Sequence, residues 1–351
     1  MNSSKKPIGI KNNICVKGKS VTCGSKTLEN FVPPYNATVM DKLYEVAGDD
    51  VGIRIFNMAE FSTGAEVTVF NRGEEIDCAL SSDYDGTERQ FAASNGFVAL
   101  KPTYCSVSRY GLISAYPSLE TIAPIAKTVR GVAELYGIIC GADEKDSTTV
   151  ERNYCDFAAN IDNEIGKIKI GTFSGGLTTS NPLNTKIENL GFKIVGVGVI
   201  SAQHAVNTHK IIACCEMFSS LARFDGIKFG HRSENAETLA ELYNNTRAEG
   251  FGYETKKQIL LGAVMLSKQH RIYYYNKAIL ARAKITEEIN DMFKRCDVVA
   301  TPLDATYTTM PNLAGLPAIA VKGVQLIGPK FSEELLFKVA RVIENGGAAN
   351  V

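Results

Sequence analysis

Apolar residues in this chain alternate between the spacing of strands and the spacing of helices. Residues 7–10 and 51–55 have strand spacing. Residues 39–47, between them, have helix spacing and follow Thr38, which we expect to cap the helix. A strand followed by a helix and a second strand is typical of α/β proteins, in which helices cover a sheet. The same alternation recurs at residues 167–170, 183–190 and 193–199.

The remaining segments extend this pattern without an obvious linker, repeat or low-complexity tract. Helices are predicted at residues 128–139, 205–222, 236–248, 253–267, 271–295 and 332–345, and strands at residues 96–100, 297–301, 319–321 and 324–327. With 351 residues and 45% hydrophobic content, the chain can bury a sizeable core. We therefore predict a single α/β domain over residues 1–351, with a mixed β-sheet covered by helices on both faces.

Basic and acidic residues balance, with 38 of each, which argues against autonomous binding to nucleic acid or to an anionic membrane. The nine cysteines are an odd number without a C-x-x-C pair, and the histidines nearest to Cys214 and Cys215 lack the spacing of zinc ligands. We expect no secretory signal, because no apolar run follows residues 1–6, and no run of about 18 apolar residues occurs in the sequence. These features predict a cytoplasmic protein with reduced thiols and without a metal site.

Residues 81–90 form the segment with the clearest chemical potential, because a strand end of small residues meets a helix there. Asp83 to Thr87 offers carboxylates, a hydroxyl and a glycine that permits unusual backbone dihedrals. The helix start adds backbone N–H groups that lack partners within the helix. Loops of this kind carry ligand sites in open α/β sheets. The alternative is an ordinary helix cap, which is also typical of such residues.

Several segments together resemble the amidase-signature family, and within it most closely the A subunits of glutamyl-tRNA(Gln) amidotransferases. They occur in the family's order over about residues 9–345, which is nearly the whole chain. The segments are residues 9–18, 28–35, 96–103, 108–112, 146–147, 220–226, 247–252, 312–317 and 325–328. The resemblance implies the single α/β domain of that family, without its usual N-terminal helical lead and without several internal segments.

The resemblance also implies a site that hydrolyses carboxamides with a lysine, a bridging serine held by a cis peptide, and a nucleophilic serine. Lys11 matches the lysine, which accepts a proton from the bridging serine. Residues 82–87 (SDYDGT) align with the family's Ser-Asp-Thr-Gly-Gly-Ser, so Thr87 corresponds to the nucleophilic serine. Tyr84, Asp85 and Gly86 belong to the loop whose backbone N–H groups hold the oxyanion. We expect Lys11 and Thr87 to lie within about one water's reach of each other.

Three departures from the family pattern affect this site. The Gly- and Ser-rich motif that supplies the bridging serine is absent, because residues 70–76 run almost directly into Cys78. Thr87 carries an extra methyl group that restricts its χ1 angle, and Asp85 replaces a glycine beside the developing oxyanion. Ser81 or Ser82 could take the place of the bridging serine only in a rearranged turn.

For the substrate, the resemblance implies that Arg282 binds the α-carboxylate of glutamine, since a guanidinium fork suits a carboxylate. The alternative for Arg282 is an ordinary exposed arginine on a helix. Asp304 is the candidate that receives the α-amino group. The sequence leaves open whether glutamine, asparagine or another carboxamide is the substrate.

An A subunit of this kind releases ammonia from glutamine and passes it to the B subunit, which converts Glu-tRNA(Gln) to Gln-tRNA(Gln) with ATP and Mg²⁺. A small C subunit wraps the pair. The resemblance therefore implies the B and C subunits as partners, contact with Glu-tRNA(Gln) through the B subunit, and no cofactor in this chain itself. The departures predict impaired hydrolysis. The open alternatives are an inactive scaffold or glutamine-binding protein, and a degenerate or artificial shortened variant.

Overall fold

The computed structural model describes residues 7–48, 51–63, 76–173, 182–198 and 202–346. They fall into two compact units, each described by itself below. The first unit comprises Met1–Ile76, Arg109–Ser118 and Lys210–Ala278, and the second comprises Asp77–Ser108, Leu119–His209 and Ile279–Val351. The prediction of one domain over residues 1–351 stays a prediction.

The strands and helices follow one another in the predicted order, apart from one strand and one helix that the sequence does not predict. The strands are β1 (Ile8–Lys11), β2 (Ile53–Phe56), β3 (Cys78–Asp83), β4 (Val98–Lys101), β5 (Thr121–Ala126), β6 (Lys169–Phe173), β7 (Lys193–Val197), β8 (Val298–Pro302), β9 (Ala318–Val321) and β10 (Val324–Ile327). The helices are α1 (Thr38–Ala47), α2 (Thr87–Ser94), α3 (Val129–Ile139), α4 (Pro182–Asn189), α5 (Ala202–Ser220), α6 (Leu239–Gly250), α7 (Tyr253–Leu266), α8 (Tyr275–Met292), α9 (Ala305–Ala314) and α10 (Glu333–Asn345).

The second unit contains a mixed sheet with the strand order β3-β5-β4-β9-β10-β8-β6-β7. Neighbouring strands from β3 to β8 are antiparallel, whereas β6 is parallel to both β8 and β7. The amphipathic helix α10 packs on this sheet and on α3 through its buried residues, which include Leu336 and Phe337. The predicted α/β class with a mixed sheet is therefore confirmed.

The first unit contains the parallel pair β1 and β2, in which Ile8 lies opposite Ile53. Its interior includes the rings of Phe61, Phe224 and Phe251, whose centroids lie between 5.9 and 6.4 Å apart. Such tilted and edge-on arrangements are the favoured geometry of packed aromatic rings.

Two elements of the second unit are absent from the prediction, and each contains a proline. Pro124 lies in β5, opposite Leu80 of β3, and Pro311 lies inside α9. Proline lacks a backbone N–H, so it is depleted in both kinds of element. The structure tolerates Pro124 because the pairing of β5 with β4 involves only Ala126 and Ile125.

The prediction that Thr38 caps the first long helix is wrong. Ala37 is the cap residue and makes no side-chain hydrogen bond, while Thr38 is the first helical residue. The backbone N–H of Thr38 instead donates to the carbonyl oxygen of Tyr110, 3.2 Å away. A loop carbonyl therefore satisfies an N–H group that has no partner inside the helix.

Helices α5 and α7 approach each other closely at Gly262 in the first unit. A methyl group at Gly262 would lie 2.1 Å from the carbonyl oxygen of Cys214, which belongs to the α5 backbone and cannot move aside cheaply. We predict that Gly262→Ala destabilises the protein by about 1–3 kcal/mol through overpacking. The midpoint of urea unfolding measures this change.

Gly137 in α3 provides a matched control for the same substitution within a helix. A methyl group there would meet only the Phe157 ring at 3.9 Å, an ordinary contact distance. Gly137→Ala should therefore raise stability by up to about 1 kcal/mol, because alanine has the higher helix propensity. Equal midpoints for the two variants would contradict the close approach of α5 and α7.

Candidate active site

The loop between β3 and α2 contains the predicted site residues Tyr84, Asp85, Gly86 and Thr87. Gly86 has a φ of 92°, in the left-handed region that favours glycine, and α2 begins at Thr87. A Cβ atom on Gly86 would lie 2.3 Å from the Cβ atom of Thr308, so only glycine fits. The loop thus places the Thr87 hydroxyl at the N-terminus of a helix, as the sequence predicts.

A buried ion pair between Asp83 and Arg89 fixes the two ends of this loop. Arg89 Nε donates to Asp83 Oδ2 at 2.8 Å, and both side chains are fully buried. Arg89 also donates to the carbonyl oxygen of Thr308, to Asn312 Oδ1 and to Gln325 Oε1. The guanidinium therefore ties β3 and α2 to α9 and β10.

Side chains from outside the loop hold three successive carbonyl oxygens. Asn312 Nδ2 donates to the carbonyl of Asp83 at 3.2 Å, and Thr308 Oγ1 donates to that of Asp85 at 3.0 Å. The carbonyl of Tyr84 lies 2.8 Å from His209 Nε2, which donates to it because a carbonyl can only accept. The orientations of the peptide groups before Thr87 are fixed by these contacts.

The N–H groups of the same loop are occupied by carboxylates of the loop itself. Gly86 N donates to Asp83 Oδ1 at 2.9 Å, and Thr87 N donates to Asp85 Oδ1 at 2.9 Å. These groups flank Thr87, the predicted nucleophile, beside which an amidase needs free donors for an oxyanion. Asp85 thus contacts the N–H group of Thr87 that would otherwise be available to a substrate oxygen.

Burial and charge shift the pKa values around this loop in opposite directions. Burial alone would raise the pKa of Asp83, but the charge and hydrogen bonds of Arg89, together with Asn312, hold it below its usual value. Burial lowers the pKa of His209, while the negative charge of Asp85 acts in the opposite direction. Asp83 is therefore ionised and His209 neutral at pH 7.

Lys101 is a fully buried lysine at the end of β4. Its Nζ donates to the carbonyl of Pro102 at 2.8 Å. Burial lowers the pKa of Lys101 to about 7, and the positive charge of Arg89 acts in the same direction. Ser81 and Ser82, the alternatives for the bridging serine, are buried in β3, and Ser81 Oγ has no hydrogen-bond partner among the described residues.

Lys11 lies at the end of β1 in the first unit and is buried, with 2% of its surface exposed. The backbone N–H groups of Asn13 and Ile14 donate to its carbonyl, which forms a tight turn after the strand. Because Thr87 belongs to the second unit, the distance between Lys11 and Thr87 stays a prediction. Most of the segment in which the bridging-serine motif is missing, residues 70–76, lies outside the described residues.

The two predicted substrate contacts lie in the second unit. Arg282, on α8, is half-buried, and its Nε donates to the carbonyl of Leu313 at 2.7 Å. Burial lowers the pKa of His209, and the positive charge of Arg282 acts in the same direction. Asp304 is exposed and caps α9 by accepting a hydrogen bond from the Thr306 N–H at 2.8 Å.

Sequence reasoning missed three residues that shape this loop: His209, Thr308 and Asn312. Asn312 lies in a segment that carries the family resemblance, so it could have been found there. Thr308 falls in the unpredicted helix α9, and His209 lies far from the loop in sequence, so neither left a local signal. Only tertiary contacts reveal their roles.

Metal ligands and membrane spans are both absent from the part of the chain that the structure describes. These residues contain no group of three or more His, Cys, Asp or Glu side chains placed to hold a metal ion. None of the helices in these ranges combines the length and the apolar character needed to cross a membrane.

The geometry defines an α/β protein whose candidate site is a glycine-containing turn that presents a hydroxyl at a helix start. The sequence profile of the Amidase family matches residues 6–66 and 74–317. The chain therefore belongs to the amidase family, and the predicted family is confirmed.

Relatives and solved structures agree with this assignment. The chain is 34% identical to the A subunit of the glutamyl-tRNA(Gln) amidotransferase of Lachnoclostridium phytofermentans and 36% identical to that of Streptococcus agalactiae. Each match covers 96% of this chain and 82% of the relative. The crystal structure of the same subunit from Thermotoga maritima superimposes with a TM-score of 0.73 and 31% identity, over 97% of this chain and 83% of that one.

The Asp83–Arg89 pair generates a stability prediction. Arg89→Met leaves the Asp83 carboxylate buried without its charged partner, so we expect a loss of about 3–5 kcal/mol in the free energy of unfolding. Lys294→Met removes a positive charge from an exposed ion pair with Asp291 and should leave the urea midpoint nearly unchanged. Similar midpoints for the two variants would show that the buried network does not stabilise the fold.

Proposed function

We propose that this chain is a glutamine-hydrolysing subunit of a tRNA-dependent amidotransferase. Identity of 34–36% to amidotransferase A subunits over 96% of the chain is the observation that carries this proposal. The loop from Asp83 to Thr87 supports it, because a hydroxyl stands at the start of α2 where the family has its nucleophile. The substrate is glutamine, and the product is ammonia for the partner subunit.

In this proposal Lys11 is the base and Thr87 the nucleophile of the reaction. Thr87 Oγ1 attacks the side-chain carbonyl carbon of glutamine and forms an acyl-enzyme as ammonia leaves, and water then releases glutamate. Arg282 pairs with the α-carboxylate, and Asp304 receives the α-amino group. The burial of Lys11 at the end of β1 supports its role, since the base of this reaction acts inside the protein.

We further propose that hydrolysis is slow. The bridging serine has no match in the sequence, so the proton of Thr87 lacks its usual path to Lys11. The hydrogen bond from Thr87 N to Asp85 Oδ1 supports the same conclusion, because a donor for the oxyanion is already taken by an anion. Tyr84 and Gly86 provide the neighbouring backbone groups of this loop.

The partners and cofactors of the proposal lie outside the chain. The B subunit would bind Glu-tRNA(Gln) and use ATP and Mg²⁺, the C subunit would stabilise the assembly, and the complex would act in the cytoplasm. The names of the relatives support this proposal, because each relative is described as the A subunit of a glutamyl-tRNA(Gln) amidotransferase.

An inactive glutamine-binding protein is the second candidate function. The occupied N–H group of Thr87 favours it, because binding needs no oxyanion site whereas hydrolysis does. Inserting the family's Gly- and Ser-rich segment and changing Thr87→Ser separates the two functions. If the parent is inactive and only this altered chain has glutaminase activity, the parent keeps the fold of a glutaminase but has lost its catalytic groups.

Glutamine binding tests the proposed substrate contact. Arg282→Ala should raise the dissociation constant for L-glutamine by about 30- to 150-fold. This is the equivalent of losing a charge-assisted hydrogen bond of about 2–3 kcal/mol. Isothermal titration calorimetry measures it, and Lys284→Ala, on the exposed side of the same helix, is the control. An unchanged dissociation constant in Arg282→Ala would remove this residue from the site.

The hydrolysis rate tests the proposed impairment. With the B and C subunits present, we expect a rate about 10²–10⁴-fold below that of a complete relative, since general-base assistance is lost. Occupation of the oxyanion donor should cost about another 10²-fold, although such effects do not simply multiply. Thr87→Ala should then change little. A rate equal to that of the relative, and abolished by Thr87→Ala, would contradict the impairment.

A further inference from the structure

The Asp85 carboxylate is the acidic group of the loop that lies directly beside the predicted nucleophile, Thr87. Its Oδ1 lies 2.9 Å from Thr87 N, and the residue is half-buried. In a hydrolysing site this N–H group faces the side-chain carbonyl of the substrate. A substrate bound at Thr87 would therefore have the Asp85 carboxylate next to the N–H group that binds its oxygen.

Contacts on both sides of Asp85 hold it in this position. Thr308 Oγ1 donates to its carbonyl oxygen at 3.0 Å, and the next residue, Gly86, has no space for even a methyl group beside Thr308. His209, which holds the preceding carbonyl, is buried and neutral, so it does not cancel the charge of Asp85. These contacts hold the backbone of Asp85, and the hydrogen bond from Thr87 N positions its carboxylate.

This charge discriminates between the two forms of the side chain that the proposed reaction interconverts. The carboxamide of glutamine is neutral, and its NH₂ group can donate a hydrogen bond to Asp85. The γ-carboxylate of glutamate has no proton to donate and carries a like charge. At about 5 Å and an effective dielectric near 20, the repulsion corresponds to an affinity difference on the order of 10²-fold.

We propose that Asp85 is a specificity-determining residue that makes this site bind L-glutamine and reject L-glutamate, the product of glutamine hydrolysis. The inference rests on the proposed function, because it takes glutamine as the ligand. It explains how a carboxylate can occupy the loop without abolishing glutamine recognition. Hydrolysis is slowed by the same feature, because the Asp85 carboxylate repels the oxyanion of the reaction as it repels the carboxylate of glutamate.

Two substitutions separate the charge of Asp85 from its occupation of the Thr87 N–H group. Asp85→Asn removes the charge but keeps an oxygen that can accept from Thr87 N. Asp85→Gly removes both and frees the N–H group at the start of α2. Asp156→Asn is the matched control, since Asp156 Oδ1 accepts from the Ala159 N–H in an exposed turn and the net charge changes equally.

The experiment measures the dissociation constants of L-glutamine and L-glutamate for the parent and the three variants by calorimetry at pH 7.5. The parent should bind glutamine about 10²-fold more tightly than glutamate. Asp85→Asn should tighten glutamate binding by about 10²-fold and Asp85→Gly by more, with glutamine binding altered only a few-fold. Asp156→Asn should match the parent. Thermal unfolding of each variant verifies that it is folded, and the nearly isosteric Asp85→Asn keeps the test valid should Asp85→Gly unfold.

The outcomes distinguish this inference from the function on which it rests. If the parent binds glutamine but the ratio of the two dissociation constants is the same in Asp85→Asn, the inference is overturned and the proposed function stands. If the folded parent binds neither amino acid, both are overturned.

Discussion

The ion pair between Asp83 and Arg89 is the interaction on which the candidate site depends. Burying two charges costs several kcal/mol for each ion, and this cost is offset only when every hydrogen bond of the pair is satisfied. Here the side-chain oxygens of Asn312 and Gln325 and the carbonyl of Thr308 accept the other hydrogen bonds of the Arg89 guanidinium. Because Asp83 ends β3 and Arg89 lies in the first turns of α2, the pair determines where the intervening residues, including Thr87, can stand.

The same scaffold holds residues that differ in chemistry from the family pattern. The contacts to the carbonyls of Tyr84 and Asp85 orient the loop, and Gly86 keeps the positive φ that the turn requires. In the proposed reaction, by contrast, Asp85 places a carboxylate beside the oxyanion, which has a charge of the same sign. An intact framework with altered reacting groups is consistent with retained ligand recognition and weakened catalysis.

Much of this arrangement could be predicted from the sequence, because local patterns determine it. The strand end before Asp83, the glycine turn and the helix start at Thr87 follow from residue types over a few positions. The proline-containing elements β5 and α9 could not be predicted, since proline normally interrupts both kinds of structure. The contacts of His209 and Thr308 join residues more than 100 positions apart. The distance from Lys11 to Thr87 also depends on residues far apart in the sequence, and it remains a prediction.

A crystal structure of the chain with bound L-glutamine tests the central claim most directly, namely that Asp85 occupies the position meant for the substrate oxygen. The account predicts that Asp85 Oδ1 stays at about 3 Å from Thr87 N and that the amide nitrogen of glutamine faces Asp85. The contradicting result is an Asp85 side chain turned away from the loop, with the side-chain carbonyl oxygen of glutamine accepting the hydrogen bond from Thr87 N.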